Sequence, residues 1–182
     1  MVTPRLETLC TALAQVLIAR KLSMVTAESC TGGLIAASCT QLSGSSAWFE
    51  RGFVTYSNAA KSELLGVAPC LIEAQGAVSE EVAKAMALGA LAHSPAHISV
   101  AVTGIAGPSG GSAAKPVGTV WLAWAWRDLQ QNLHSETMLR QFEGTRSEVR
   151  DATAELALAH LTELVEKLVG KLLETTGKKI PT

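Results

Sequence analysis

Residues able to do chemistry are gathered in four short segments of this 182-residue sequence. The first is Ala27-Glu28-Ser29-Cys30-Thr31-Gly32-Gly33. A hydroxyl at a strand end, followed by two glycines that open a helix, sets Ser29 beside free backbone N–H groups. Such groups bind a phosphate or the oxyanion of a tetrahedral intermediate, which makes Thr31, Gly32 and Gly33 candidate binding positions. The plainer alternative is that Ser29 or Thr31 only caps the helix while the glycines make the turn. The segment is neither a G-x-S-x-G elbow nor a Walker A loop.

The second segment, Gly52 to Lys61, holds Tyr56, the one tyrosine of the chain, five residues before Lys61. A phenol with a reference pKa of about 10 is a weak base at neutral pH, and a nearby ammonium favours the phenolate. A sheet-edge tyrosine and a solvated helix lysine would explain the pair equally simply. The third segment runs from Thr103 to Gly111 and closes through Lys115 to Thr119. Its glycines and prolines suggest an ordered loop at a strand end, suited to a ligand wall that includes Thr103, Gly104 and Gly107. The fourth is Phe142-Glu143-Gly144-Thr145-Arg146, with Arg150 one turn later. Two arginines at a helix start oppose the helix dipole. An anionic ligand would offset this, as would Glu143, Glu148 or Asp151.

All four histidines (93, 97, 134 and 160) lie outside these segments, so a Ser-His-Asp arrangement has no obvious histidine. His93 and His97 have helical metal-pair spacing, but Pro95 lies between them and no third ligand is near. No metal and no cofactor is expected. Cys10, Cys30, Cys39 and Cys70 contain no C-x-x-C pair, and Cys10 and Cys39 read as buried reduced thiols.

The elements that must position these segments alternate. Helical spacing covers residues 3–20, a short strand 23–28 and a helix 34–42. A strand spans 49–56, and Ser57-Asn58 opens a helix carrying Lys61, Leu64 and Leu65. Ser79 caps a helix that runs to about His93. Ile98–Thr103 is a strand, residues 118–126 and 134–142 form a hairpin, and 146–174 a long helix. Trp121, Trp124 and Trp126 fall on both faces of one strand, as expected for packing between two helix layers. The pattern predicts an α/β fold, a three-layer α/β/α sandwich around a mixed sheet with one antiparallel hairpin. No repeat or linker divides the chain, so residues 1–174 are expected to form one domain and 175–182 a frayed tail.

Composition narrows the classes. The chain is 48% hydrophobic and 17% charged, which excludes a disordered protein. A net charge of -1 leaves no basic stripe for nucleic acid. The longest apolar stretch, Val117 to Trp126, is too short to span a bilayer. Residues 1–22 show no signal peptide, so the expected location is the cytoplasm. The apolar strand and the long final helix suggest self-association, with a dimer favoured.

Taken together, the motifs resemble the C-terminal domain family of the competence/damage-inducible protein CinA, including its stand-alone amidase form. The resemblance runs from about Leu6 to Leu168. It is carried by AESCTGG (27–33), SSAWFERGFVTYSNAAK (45–61), GAVSEEV (76–82), TGIAGPSGG (103–111), KPVGTVW (115–121) and FEGTRSEVR (142–150). The stand-alone form is expected because the family's N-terminal nucleotide-pyrophosphatase domain is absent. The resemblance implies hydrolysis of nicotinamide mononucleotide to nicotinic acid mononucleotide and ammonia. It places the nucleophile at Ser29, its Tyr and Lys at Tyr56 and Lys61, and the functional arginine at Arg146. Two positions depart from the family pattern, Ser109 and Thr145, each where an Asp is usual. With no histidine at hand, the expected base is Tyr56 tuned by Lys61, with N–H groups near Thr31–Gly33 steadying the oxyanion. Arg146 holds the substrate phosphate or orients the base. A hydrolase using Cys30 and a non-catalytic pyridine-nucleotide-binding module are the competing readings.

Overall fold

Strands at the centre of a sheet covered on both faces need small or apolar residues throughout, and two segments meet that condition. Met24–Glu28 (β1) is buried at every position and Ile98–Gly104 (β3) at all but its last. They pair in parallel, Met24 opposite Ile98 and Glu28 opposite Val102. The computed structural model describes residues 2–128 and 130–176, with side chains as far as residue 168. Beyond Thr176 the expected tail lies outside the described residues.

Phe49–Val54 (β2) adds in parallel to the free side of β1. Thr119–Arg127 (β4) runs antiparallel to β3, and Leu133–Gln141 (β5) antiparallel to β4. The order β2-β1-β3-β4-β5 is a mixed five-stranded sheet with one hairpin, as the sequence pattern predicts.

Helices cover both faces. Pro4–Arg20 (α1), Leu34–Thr40 (α2) and Arg146–Thr176 (α6) pack on the face carrying Met24, Val100, Leu122 and Trp124. Trp124 is fully buried there, and its indole N–H donates to the Ala157 carbonyl at 3.1 Å. The opposite face carries Val25, Ala27, Ala101, Ala123 and Ala125 beneath Asn58–Leu65 (α3), Pro69–Gln75 (α4) and Glu80–Ala92 (α5). Its alanines let α5 lie close to the sheet. Gly89 does the same between helices, because a Cβ there would sit 2.1 Å from the Leu65 carbonyl oxygen at the end of α3. That contact seats the helix carrying Lys61. The seven-residue α4 is an addition to the elements that the sequence pattern predicts.

From β1 the chain departs over one face through α2, and from β2 it returns over the other through α3, α4 and α5. Diverging connections of this kind leave a crevice at the carboxyl ends of parallel strands. Into it run the loops after β1, β2 and β3.

Candidate active site

The chain turns through Ser29–Gly33 directly after β1. Gly32 and Gly33 adopt φ of 61° and 92°, the left-handed region that favours glycine. The Ser29 N–H donates to the Val102 carbonyl at 3.0 Å, so the serine is tied to the end of β3. Glu28 is fully buried and its side chain turns back onto the start of α2. Its Oε2 accepts from Thr31 Oγ1 at 2.7 Å and from the Ile35 N–H at 3.0 Å, and its Oε1 from the Ala36 N–H at 2.8 Å.

The Ile35 and Ala36 N–H groups that open α2 are therefore taken by the protein's own carboxylate and are closed to an external anion. Arg150 is likewise engaged, its Nε and Nη2 donating to the Thr31 carbonyl at 3.2 and 2.7 Å. Thr31, Gly32, Gly33 and Arg150 thus build the turn and do not line the cleft. Side-chain binding by Thr31 or Arg150 does not fit this geometry, whereas the Thr31 main-chain N–H has no oxygen partner among the described residues.

Ser57 caps α3, its hydroxyl accepting from the Ala60 N–H at 3.0 Å. One turn of helix then carries Lys61 inward, where only 1% of it is exposed. Its Nζ donates to Ser29 Oγ at 3.1 Å and to the Thr55 carbonyl at 2.9 Å. Ser29 itself is 8% exposed, at the floor of the cleft. Burial disfavours the ammonium and lowers the Lys61 pKa below its usual value, an effect partly opposed by Cys30. A lysine that sheds its proton more readily and touches a hydroxyl is equipped to act as that hydroxyl's base.

Tyr56 occupies a different place. It is 61% exposed at the cleft mouth, and its hydroxyl accepts from Arg146 Nη2 at 2.9 Å. Arg146 Nη1 donates to the Gly107 carbonyl at 2.9 Å, so one guanidinium joins α6, the glycine-rich loop and the end of the β2 connection. The expected arrangement, with Tyr56 tuned by Lys61 and taking the Ser29 proton, is not the one formed: Lys61 meets Ser29 and Tyr56 meets Arg146. Tyr56 precedes the cap of α3 and stays outside, whereas Lys61 follows it by a turn and points under the sheet end.

Tyr56→Phe and Arg146→Met should accordingly be non-additive. We expect each to slow turnover about 10-fold or more, with the double variant little worse than either, as for residues acting as one unit. Steady-state rates of the four proteins test this, and multiplicative losses would disprove the coupling.

The cleft has a volume of ≈ 230 Å³. Thr103 and Gly104 line it, as expected, while Gly107 contributes through its carbonyl to Arg146. Asn58, Ala77, Val78 and Ala106 line it too, and no chemical signal in the sequence marks them. The Ala77–Val78 wall is held in place twice. Thr103 Oγ1 donates to the Ala77 carbonyl at 2.8 Å, and Lys115 Nζ to the Val78 and Gln75 carbonyls at 2.7 and 3.2 Å.

Cys30 also lines the cleft but is 5% exposed, and burial pushes its thiol up to about 12. It therefore stays protonated at neutral pH. Among the described residues no cluster of three or more His, Cys, Asp or Glu is placed to hold a metal. At the start of α6, Thr145 Oγ1 donates to Glu148 Oε2 at 2.7 Å, as does the Thr145 N–H. Threonine thus takes part in holding this helix start where the family pattern has Asp, and Arg146 follows it directly. Ser109, the other departure, is exposed in the glycine-rich loop.

The CinA C-terminal domain family matches residues 6–165. The chain is 52% identical over 154 residues to a nicotinamide-nucleotide amidohydrolase PncC of Enterobacter agglomerans, covering 85% of this chain and 92% of that protein. It is 52% identical over 159 residues to the Pseudomonas putida protein of the same name, covering 87% and 96%. The crystal structure of a competence/damage inducible protein, CihA, from Agrobacterium tumefaciens superposes with a TM-score of 0.82 at 45% identity, covering 90% and 98%.

Proposed function

The chain belongs to the CinA C-terminal domain family, and on that premise we propose that it hydrolyses the amide of nicotinamide mononucleotide, giving nicotinic acid mononucleotide and ammonia. The observation that carries this reading is the buried contact of Lys61 Nζ with Ser29 Oγ at 3.1 Å, at the floor of a cleft.

Neutral Lys61 takes the Ser29 proton as the serine oxygen attacks the amide carbon. The backbone N–H groups of Cys30 and Thr31, which have no oxygen partner among the described residues, steady the resulting oxyanion. Lys61 then passes the proton to the departing nitrogen, the C–N bond breaks, and ammonia leaves an acyl ester on Ser29. A water molecule, deprotonated by Lys61, releases the acid and restores the serine. With Glu28 filling the start of α2, the cation available to the substrate phosphate is Arg146 at the mouth.

Release of ammonia from nicotinamide mononucleotide by the purified protein, with nicotinic acid mononucleotide as co-product, tests the proposal. Binding without release would make the chain a nucleotide-binding module instead. We further expect full activity after dialysis against EDTA. Loss that is restored by a divalent metal would overturn the mechanism.

A further inference from the structure

Ser29 and Lys61 belong to different elements, and one residue is joined to the supports of both. The Glu28 carbonyl accepts from the Thr55 N–H at 2.8 Å, and the Thr55 carbonyl in turn holds Lys61 Nζ at 2.9 Å. The Glu28 side chain holds the other half through Thr31 Oγ1 and the Ile35 and Ala36 N–H groups.

We propose that the Glu28 carboxylate is a positioning residue for this hydrolysis, setting Ser29 Oγ against Lys61 Nζ by locking the nucleophile turn to the start of α2. The proposal rests on the Ser29–Lys61 reading above. A fully buried carboxylate is costly unless its oxygens are satisfied, and here three donors from the segment immediately following Ser29 satisfy them. Acceptor character at both oxygens is needed, not merely the shape. Both oxygens accept and neither donates, so an amide nitrogen in place of either would face an N–H donor. Relief of that clash comes through movement of the turn, and the serine moves with it.

The test is Glu28→Gln, followed by steady-state kinetics, thermal melting and the rate at which a phosphonate ester reagent labels Ser29. We expect kcat to fall about 100-fold, the loss associated with a misplacement of roughly 1 Å, with KM changed less than about 3-fold. Labelling should slow in parallel. A lowered Tm with wild-type kcat and labelling would make Glu28 purely structural and overturn the proposal.

If Glu28→Gln does not fold, Thr31→Val decides, since it removes one donor and keeps the shape. There kcat should fall about 3- to 10-fold at constant KM, as for loss of one hydrogen bond of about 1 kcal/mol, and an unchanged kcat overturns the proposal. The underlying reading fails separately, if the wild-type protein is not labelled at Ser29 or if Lys61→Met keeps full activity.

Discussion

Ser29→Ala should lower the rate of ammonia release about 10⁴-fold or more while leaving the fold intact, as expected when a covalent nucleophile is removed. The side chain contributes little else. The position of the turn is set by the Ser29 N–H on Val102 and by the Glu28 carboxylate, and both survive the substitution. Removing Oγ leaves Lys61 with the Thr55 carbonyl, so no buried charge is abandoned without a partner. Cys30→Ala is the control and should retain most of the activity, because a thiol held near 12 is not a nucleophile at neutral pH. A dead Cys30 variant beside an active Ser29 variant would reverse the assignment. Mass spectrometry of enzyme quenched during turnover adds a direct check, since the acyl group should reside on the peptide containing Ser29.

Lys61→Met should cost about 10²–10⁴ in kcat, the range for a general base, without loss of the fold. Methionine matches the unbranched stem and fills the same apolar path. The accompanying pH behaviour is specific to a buried lysine. In the wild type the rate should climb as pH rises through the lowered Lys61 pKa, because only the neutral amine accepts the serine proton. Stability follows the same ionisation. Between the lowered folded-state pKa and the usual 10.5, the unfolded chain binds more protons than the native one, so stability increases with pH across that window. Below the folded-state value the whole penalty is present, and above 10.5 it is gone. Lys61→Met should abolish this contribution and be at least as stable as wild type at pH 7. Urea unfolding of both proteins from about pH 7 to 10.5 measures it. Parallel curves would mean that Lys61 is not strained by burial.

Much of this site is legible in the sequence because its parts lie at strand ends, and strand ends follow from periodicity and glycine. The order of elements apart from α4, the mixed sheet, and the choice of Ser29, Lys61, Thr103, Gly104 and Arg146 as candidates follow from such signals. What does not follow is rotation. That Lys61 turns in toward Ser29 while Tyr56 stays out depends on where Ser57 caps α3, and on the seating of that helix against Gly89. The role of Glu28 is hidden for a related reason, since its burial depends on α2 folding back over the end of β1. The sequence does carry a hint, an acid directly before a hydroxyl–glycine turn that opens a helix. The direction of the Thr31 hydroxyl, toward Glu28 and away from the cleft, depends on the same fold-back of α2.

Strand polarity divides the molecule into a chemical end and a silent one. The loops that line the cleft leave the carboxyl ends of β1, β2 and β3, and antiparallel β4 begins there and runs away from them. After nine residues, about 30 Å at the usual rise per residue, it reaches the β4–β5 connection at the far end of the sheet. An epitope or a fluorescent reporter grafted between Asp128 and Asn132 would therefore sit a full sheet length from Ser29. That distance makes the hairpin the natural place to immobilise the protein or to splice it to another without obstructing the cleft.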